Sequence, residues 1–218
     1  MALGLTREER TKLVEKMEGV MADQGVVDWD LRVRECVMLL LGLEAGLRTS
    51  EVLKVRISDV WFMGDVRPWL DLPANFNKRC KAGQVFFSRR ITAAVRLYMP
   101  IRKSWLGSGA DDGPLIVSKP TREGRGNGLS KVHLWAITHA WAARAGVRDF
   151  RFHDLRHTFA TFAMAADNSN LRVVQDLLRH RTLTATQVYL HPTFDEMRKV
   201  IEGAFNGPTD GSEGPVAA

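Results

Sequence analysis

Cysteine is almost missing from this chain: there are two in 218 residues. Cys36 stands in an apolar run and Cys80 among basic residues, with no CxxC spacing, which excludes a disulfide framework and a thiolate metal site. Long apolar runs are missing too. The longest, Cys36 to Leu43, falls far short of the roughly 20 residues of a membrane helix, and the N-terminus lacks the basic, apolar, small-residue order of a signal peptide. A cytoplasmic location and no membrane partner are therefore expected. No cluster of aspartates and glutamates stands ready to hold magnesium, which argues against a metal-dependent nuclease. Tyrosine is scarce, with only Tyr98 and Tyr189, and there are 6 histidines.

What is present is ordinary globular material, 45% apolar and 26% charged, in a chain long enough to bury a core. The formal net charge is +6 and the pI about 9.6. Arginine outnumbers lysine 22 to 9, a balance that suits anionic partners and bidentate phosphate contacts.

Periodicity gives a mainly helical chain. A first helix is expected over residues 6 to 23, with Thr6 as a possible N-cap and Leu13, Met17 and Val20 inward. A largely buried second helix runs from about Asp30 to Ala45 and stops at Gly46. A short helix capped by Thr49 or Ser50 follows. From Val60 to Phe87 the period changes to short apolar runs punctuated by Gly64, Pro68 and Gly83, which reads as one small antiparallel sheet. Helices resume at Arg90 to Trp105. After the short run "PLIVS" and the glycine-rich basic loop "KPTREGRGNG", another helix covers Leu129 to Ala145, offering Val132, Trp135, Ile137 and Trp141 to the core. Short helices follow at about 153 to 166, 170 to 179, 183 to 190 and 194 to 205. The last carries Phe194, Met197, Ile201 and Phe205 as an apolar stripe. Residues 1–205 form one domain in this reading, and 206–218 are expected to be a disordered tail.

Three stretches carry chemistry. "FHDLRHTFAT" places His153, Arg156 and His157 on one polar flank of a helix whose core face is Leu155, Phe159 and Phe162. A histidine pair at i and i+4 can bind a metal or cap a helix, but with no glutamate between them and no further ligand evident, an anion site remains. "LLRHRTLTATQVYLH" carries His180 and, nine residues later, Tyr189, which could equally be a half-buried anchor. "GLRTSEVLKV" sets Arg48 before a helix start, where guanidinium and free amides can meet one anion, or where Arg48 simply pairs with Glu51.

Together the three stretches resemble the tyrosine recombinases, or phage integrases, including the Xer recombinases and the fimbrial invertases. "GLRTSE" is similar to the family's first-arginine box, "HDLRHT" to its His-x-x-Arg box, and "LLRH" with the tyrosine nine residues on to its last box. The resemblance implies an α+β, mainly helical DNA breaking-rejoining catalytic fold with a small antiparallel sheet. It implies a site-specific recombinase, needing no metal or cofactor, that cleaves and rejoins double-stranded DNA through a 3′-phosphotyrosyl intermediate. Arg48, Arg156 and His180 would donate to the non-bridging oxygens, where charge grows in the transition state. Tyr189 would be the nucleophile. His153 would act on the tyrosine proton or the phosphate, His157 would brace the helix, and Glu51 would orient the arginine box. The leaving-group acid would be Lys78 in a β-hairpin, with Lys81 the alternative; this hairpin lacks the family's usual Lys-Gly or Lys-Thr pattern. Lys81, Lys119, Arg122, Arg125, Arg179 and Arg181 are candidate DNA contacts. Arg179 departs from the pattern, since glycine usually precedes the last-box histidine, and is expected to shift the turn or add a phosphate contact. A tetramer on DNA, monomeric when free, is implied, with the terminal helix docking on a neighbour or packing on its own domain. The catalytic fold begins almost at Met1, as in a naturally short member or a catalytic fragment. Other readings of the same residues are a relaxing topoisomerase, a hairpin-forming resolvase, or a DNA-binding regulator that has lost activity.

Overall fold

The computed structural model describes residues 4–73, 82–107, 113–120, 128–166, 171–179 and 194–205. Thr6 caps α1 (Arg7–Ala22): its hydroxyl accepts from the Glu9 amide at 3.2 Å while Glu9 accepts from the Thr6 amide at 2.8 Å. Leu13, Met17 and Val20 turn inward, at the spacing expected. The helix packs on α2 (Trp29–Leu43), the centre of the molecule, in which every residue from Val33 onward is buried. A helix apolar on all sides needs neighbours on all sides, and α2 has α1, α5 and α7 around it.

The few charges on α2 are buried with partners, as the cost of desolvation requires. Glu35 accepts from Arg32 at 2.9 Å and from the Trp141 indole at 2.8 Å. Glu44, at the C-cap, accepts from the Ser88 hydroxyl at 2.5 Å and from Arg90 at 3.2 Å.

Two short helices follow, α3 (Thr49–Val52) and α4 (Ile57–Val60). The N-cap of α3 is Arg48 rather than Thr49 or Ser50, because Glu51 reaches back to the Arg48 amide at 2.8 Å. At four residues, α4 is too short to show a period. The expected single sheet is two separate antiparallel ladders. Strands β1 (Trp61–Phe62) and β2 (Asp65–Val66) form one, and β3 (Trp69–Leu72) and β4 (Gly83–Phe86) the other, with Trp69 opposite Phe86 and Leu72 opposite Gly83.

Ser88 caps α5 (Arg89–Leu106) and Ser130 caps α6 (Lys131–Ala145). Ile137 and Trp141 on α6 are buried, but Val132 is 73% and Trp135 56% exposed. Apolar residues fall on more than one face of α6, and only one face meets α1, α3 and α7. The chain closes with α7 (Phe152–Ala165), α8 (Leu171–Leu177) and α9 (Phe194–Phe205).

Buried residues form two clusters. The larger is centred on α2. The smaller joins Phe86 of β4, Phe159 and Ala163 of α7, Val173, Val174 and Leu177 of α8, and Val200, Ile201 and Phe205 of α9. The terminal helix thus lies on its own chain, the second of the two placements its apolar stripe allows. Phe205 stacks on Phe159 with ring centroids 5.4 Å apart, and its carbonyl accepts from Arg90 at 2.6 Å. The expected helix at 183 to 190 and tail at 206–218 lie outside the described residues. Among the described residues no helix is long and apolar enough to cross a membrane.

Candidate active site

The site forms where the end of α2 turns into α3 and meets the first turns of α7. Gly46 makes that turn at φ +62°, the left-handed region that favours glycine. A Cβ there would stand 2.6 Å from the Phe159 ring, so the turn also depends on close approach to α7. Leu47 donates its amide to the Leu41 carbonyl at 3.0 Å, folding the chain back over the helix end and delivering Arg48 to the start of α3.

Leu155 and Phe159 anchor α7 in the core, at 0% and 1% exposure, which fixes the rotation of the helix. His153, Arg156 and His157 are then carried toward Arg48 from residues more than a hundred positions away. Arg156 is 4% exposed. One of its terminal nitrogens donates to the Gly46 carbonyl and the other to the Leu178 carbonyl at 2.5 Å. This one guanidinium ties the turn before Arg48 to the end of α8. Burial, with Arg48 and then Arg179 beside it, pushes its pKa down to about 9. It still carries its charge at neutral pH.

Glu51, 1% exposed, lies among the cations. Its carboxylate accepts from the Arg48 amide at 2.8 Å, from the Arg48 guanidinium at 3.3 Å and from Arg179 at 2.7 Å. The Arg48 side chain keeps 21% exposure, with its guanidinium held on Glu51. His153 is exposed at the start of α7, and the His157 ring stands edge-on to it with centroids 4.6 Å apart. Partial burial lowers the His153 pKa, and His157 and Arg156 lower it further, so the neutral ring is favoured. Among the described residues no group of three or more His, Cys, Asp or Glu side chains is gathered as metal ligands would be.

The sequence matches the phage integrase family over residues 5–196, nearly the whole chain. The chain belongs to the phage integrase family. It is 36% identical to the tyrosine recombinase XerD of Corynebacterium glutamicum over 176 residues, which are 80% of this chain and 53% of that protein. It is 29% identical to the tyrosine recombinase XerA of Pyrococcus furiosus, over 92% of this chain and 61% of the relative. The chain therefore spans between half and two thirds of the length of these relatives. The crystal structure of XerA recombinase superposes with a TM-score of 0.62 at 21% identity, covering 90% of this chain and 61% of that one. A post-cleavage complex of the XerH recombinase with a palindromic difH substrate gives 0.62 at 19% identity, covering 92% and 52%. The chain thus has the mainly helical tyrosine-recombinase fold with its small antiparallel ladders.

Of the site residues expected from sequence, the structure brings together Arg48, Glu51, His153, Arg156 and His157. Lys78, Lys81, Arg122, Arg125, His180, Arg181 and Tyr189 lie outside the described residues. Lys119 sits at the far end of α2, paired with Asp30 at 2.8 Å, about 20 Å along the helix from Glu44 at a 1.5 Å rise per residue. Arg179 is a correction. It was expected to face DNA, but its side chain is 1% exposed and is turned inward onto Glu51. Its only local sign in the sequence is a charge where glycine is usual, and its partner is 128 positions away.

Proposed function

We propose that this chain is the catalytic domain, residues 1–205, of a site-specific DNA recombinase that cleaves and rejoins strands through a 3′-phosphotyrosyl intermediate without metal. The observation that carries the reading is the convergence of Arg48 and Arg156 around buried Glu51 with His153 beside them, on a chain that matches the phage integrase family over residues 5–196. A phosphodiester is a monoanion that gains negative charge as phosphorus becomes pentavalent. Donors fixed at its non-bridging oxygens therefore favour the transition state over the ground state. Arg48 and Arg156 supply two such groups, and His180 is assigned a third. Tyr189 attacks phosphorus, the 5′-oxygen leaves, and the bond energy is kept in the phosphotyrosine for rejoining. His153, favoured as the neutral ring, accepts the tyrosine proton. Lys78, or Lys81, protonates the departing oxygen. DNA is the macromolecular partner, met as a tetramer on paired sites.

The test is a covalent selection. Nicked duplexes of randomised sequence are incubated with the protein in excess EDTA, and only DNA that survives denaturation attached to protein is recovered. The expected result is enrichment of one duplex sequence, with attachment lost in Tyr189→Phe. Strand cleavage that leaves no adduct and is restored only by magnesium points instead to a metal nuclease. Tight duplex binding with no adduct points to a regulator without activity.

A further inference from the structure

Arg179 has a conformation and an environment that stability alone does not account for. Its φ is +54°, a left-handed backbone that strains any residue with a Cβ. Its side chain is 1% exposed, and its Nε and Nη1 are buried with no hydrogen-bond partner, while Nη2 donates to Glu51 Oε2 at 2.7 Å. Its aliphatic stem runs across the start of β4, where a Cβ on Gly83 would stand 3.0 Å from Cγ and 3.1 Å from Cδ. A strained backbone, a desolvated charge and a glycine cleared to make room are three separate costs at one position. Such costs persist where the surroundings hold the residue for a purpose.

The purpose can be read from what Glu51 would do otherwise. The carboxylate is buried, and Arg48 reaches it from one side and Arg179 from the other. Without Arg179, the electrostatic demand of a buried carboxylate falls more heavily on Arg48, whose planar fork suits a bidentate grip on it. That grip would draw the guanidinium back from the face it presents to substrate. We propose that Arg179 is a positioning residue of the strand-transfer site. By sharing Glu51 it keeps the Arg48 guanidinium directed at the scissile phosphate, and through Gly83 it registers the β3–β4 hairpin against the arginine cluster. The proposal rests on the recombinase reading above.

The experiment measures single-turnover adduct formation at saturating protein on the duplex recovered by covalent selection. Substrates carry at the scissile position either the natural phosphodiester or an uncharged methylphosphonate. Arg179→Met, which keeps length but not charge, is expected to slow the phosphodiester reaction about tenfold or more, short of the 10²–10³ of a lost direct donor. Arg179→Lys, which still neutralises Glu51, should stay within about threefold of wild type and guards against a variant that does not fold. The Met defect should shrink on the methylphosphonate, because a displaced Arg48 matters less when the phosphate carries no charge; a purely structural defect would be the same on both. Adding Arg179→Met to Glu51→Gln should cost no more than Glu51→Gln alone. Wild-type speed in Arg179→Met, equal defects on both substrates, or effects that multiply with Glu51→Gln would each overturn the proposal while leaving the recombinase reading intact. A covalent selection that recovers no duplex attached to the wild-type protein would overturn both.

Discussion

Replacing Phe205 with alanine tests how firmly the terminal helix belongs to its own chain. Phe205 is 2% exposed, its ring stacks on Phe159 at 5.4 Å, and the Arg10 guanidinium lies 5.4 Å from its centre on the way to Phe162. Truncating a buried phenylalanine costs about 3–5 kcal/mol when the surroundings do not collapse. In a chain of this size each kcal/mol lowers Tm by roughly 2–4 °C, so the full cost corresponds to a drop of about 6–20 °C. A ceiling applies, since α9 can leave as a unit, and the loss cannot exceed the free energy that docks it through Val200, Ile201 and Phe205. Thermal and urea unfolding of Phe205→Ala distinguish the two cases. A lower midpoint with unchanged m means that the core is weakened in place, whereas a smaller m means that α9 has detached before global unfolding. Deleting α9 should likewise expose Phe86, Phe159 and Leu177 and promote association rather than leave a well-behaved monomer. A Tm within about 2 °C of wild type with unchanged m would show that the cis packing of α9 carries no stability.

Gly46→Ala should destabilise by about 2–5 kcal/mol, from left-handed strain and the collision with Phe159; an unchanged urea midpoint would contradict the turn geometry. Arg156→Lys loses the fork that serves the Gly46 and Leu178 carbonyls. Adduct formation should fall roughly 10²–10³-fold and the free energy of unfolding should drop by about 1–3 kcal/mol, so an active and equally stable variant would refute the assignment. The His153 pKa is lowered, so its neutral form persists to more acid pH than an ordinary histidine's. If it takes the tyrosine proton, adduct formation should be flat near neutrality and fall only through a midpoint below about 6.5, and His153→Gln should lack that limb. A limb at or above that value, or one retained in the Gln variant, would remove His153 from proton transfer.

Local chemistry was legible in the sequence and long-range pairing was not. The Thr6 N-cap and the largely buried character of α2 are local signals, and both stand in the structure as the sequence suggests. His153, Arg156 and His157 are local as well, since helix geometry alone puts residues three and four apart side by side. The burial of Val132 and Trp135 was misjudged because hydrophobicity says that a side chain favours cover, not that a neighbour is there to supply it. The apolar stripe of α9 was visible, but a stripe does not say whose groove it fills; the answer depends on Arg90, Arg10 and Phe159, which lie far apart in the chain. Arg179 is legible as a departure at a turn, but of a shifted turn and a phosphate contact the sequence cannot choose, because the inward direction of the side chain depends on Glu51 and Gly83 far along the chain.

The electrostatics of the cluster explain why its residues sit inside the protein. Among the described residues, Arg48, Arg156 and Arg179 lie around the Glu51 carboxylate, an excess of positive charge in which Arg156 and Arg179 are desolvated. In water such an excess would be screened and weak as a donor set; inside the protein each charge is felt strongly by its neighbours. The lowered pKa of Arg156 records that mutual repulsion together with burial. A group that relieves the repulsion is bound in proportion to the negative charge it brings. A phosphodiester brings one charge in the ground state and more as phosphorus becomes pentavalent, so the relief is greatest at the transition state. That difference accelerates a reaction, where equal affinity for both states would not. Under the recombinase proposal Glu51 sets the size of that excess, and Arg179, by sharing Glu51, leaves the Arg48 guanidinium to face the phosphate.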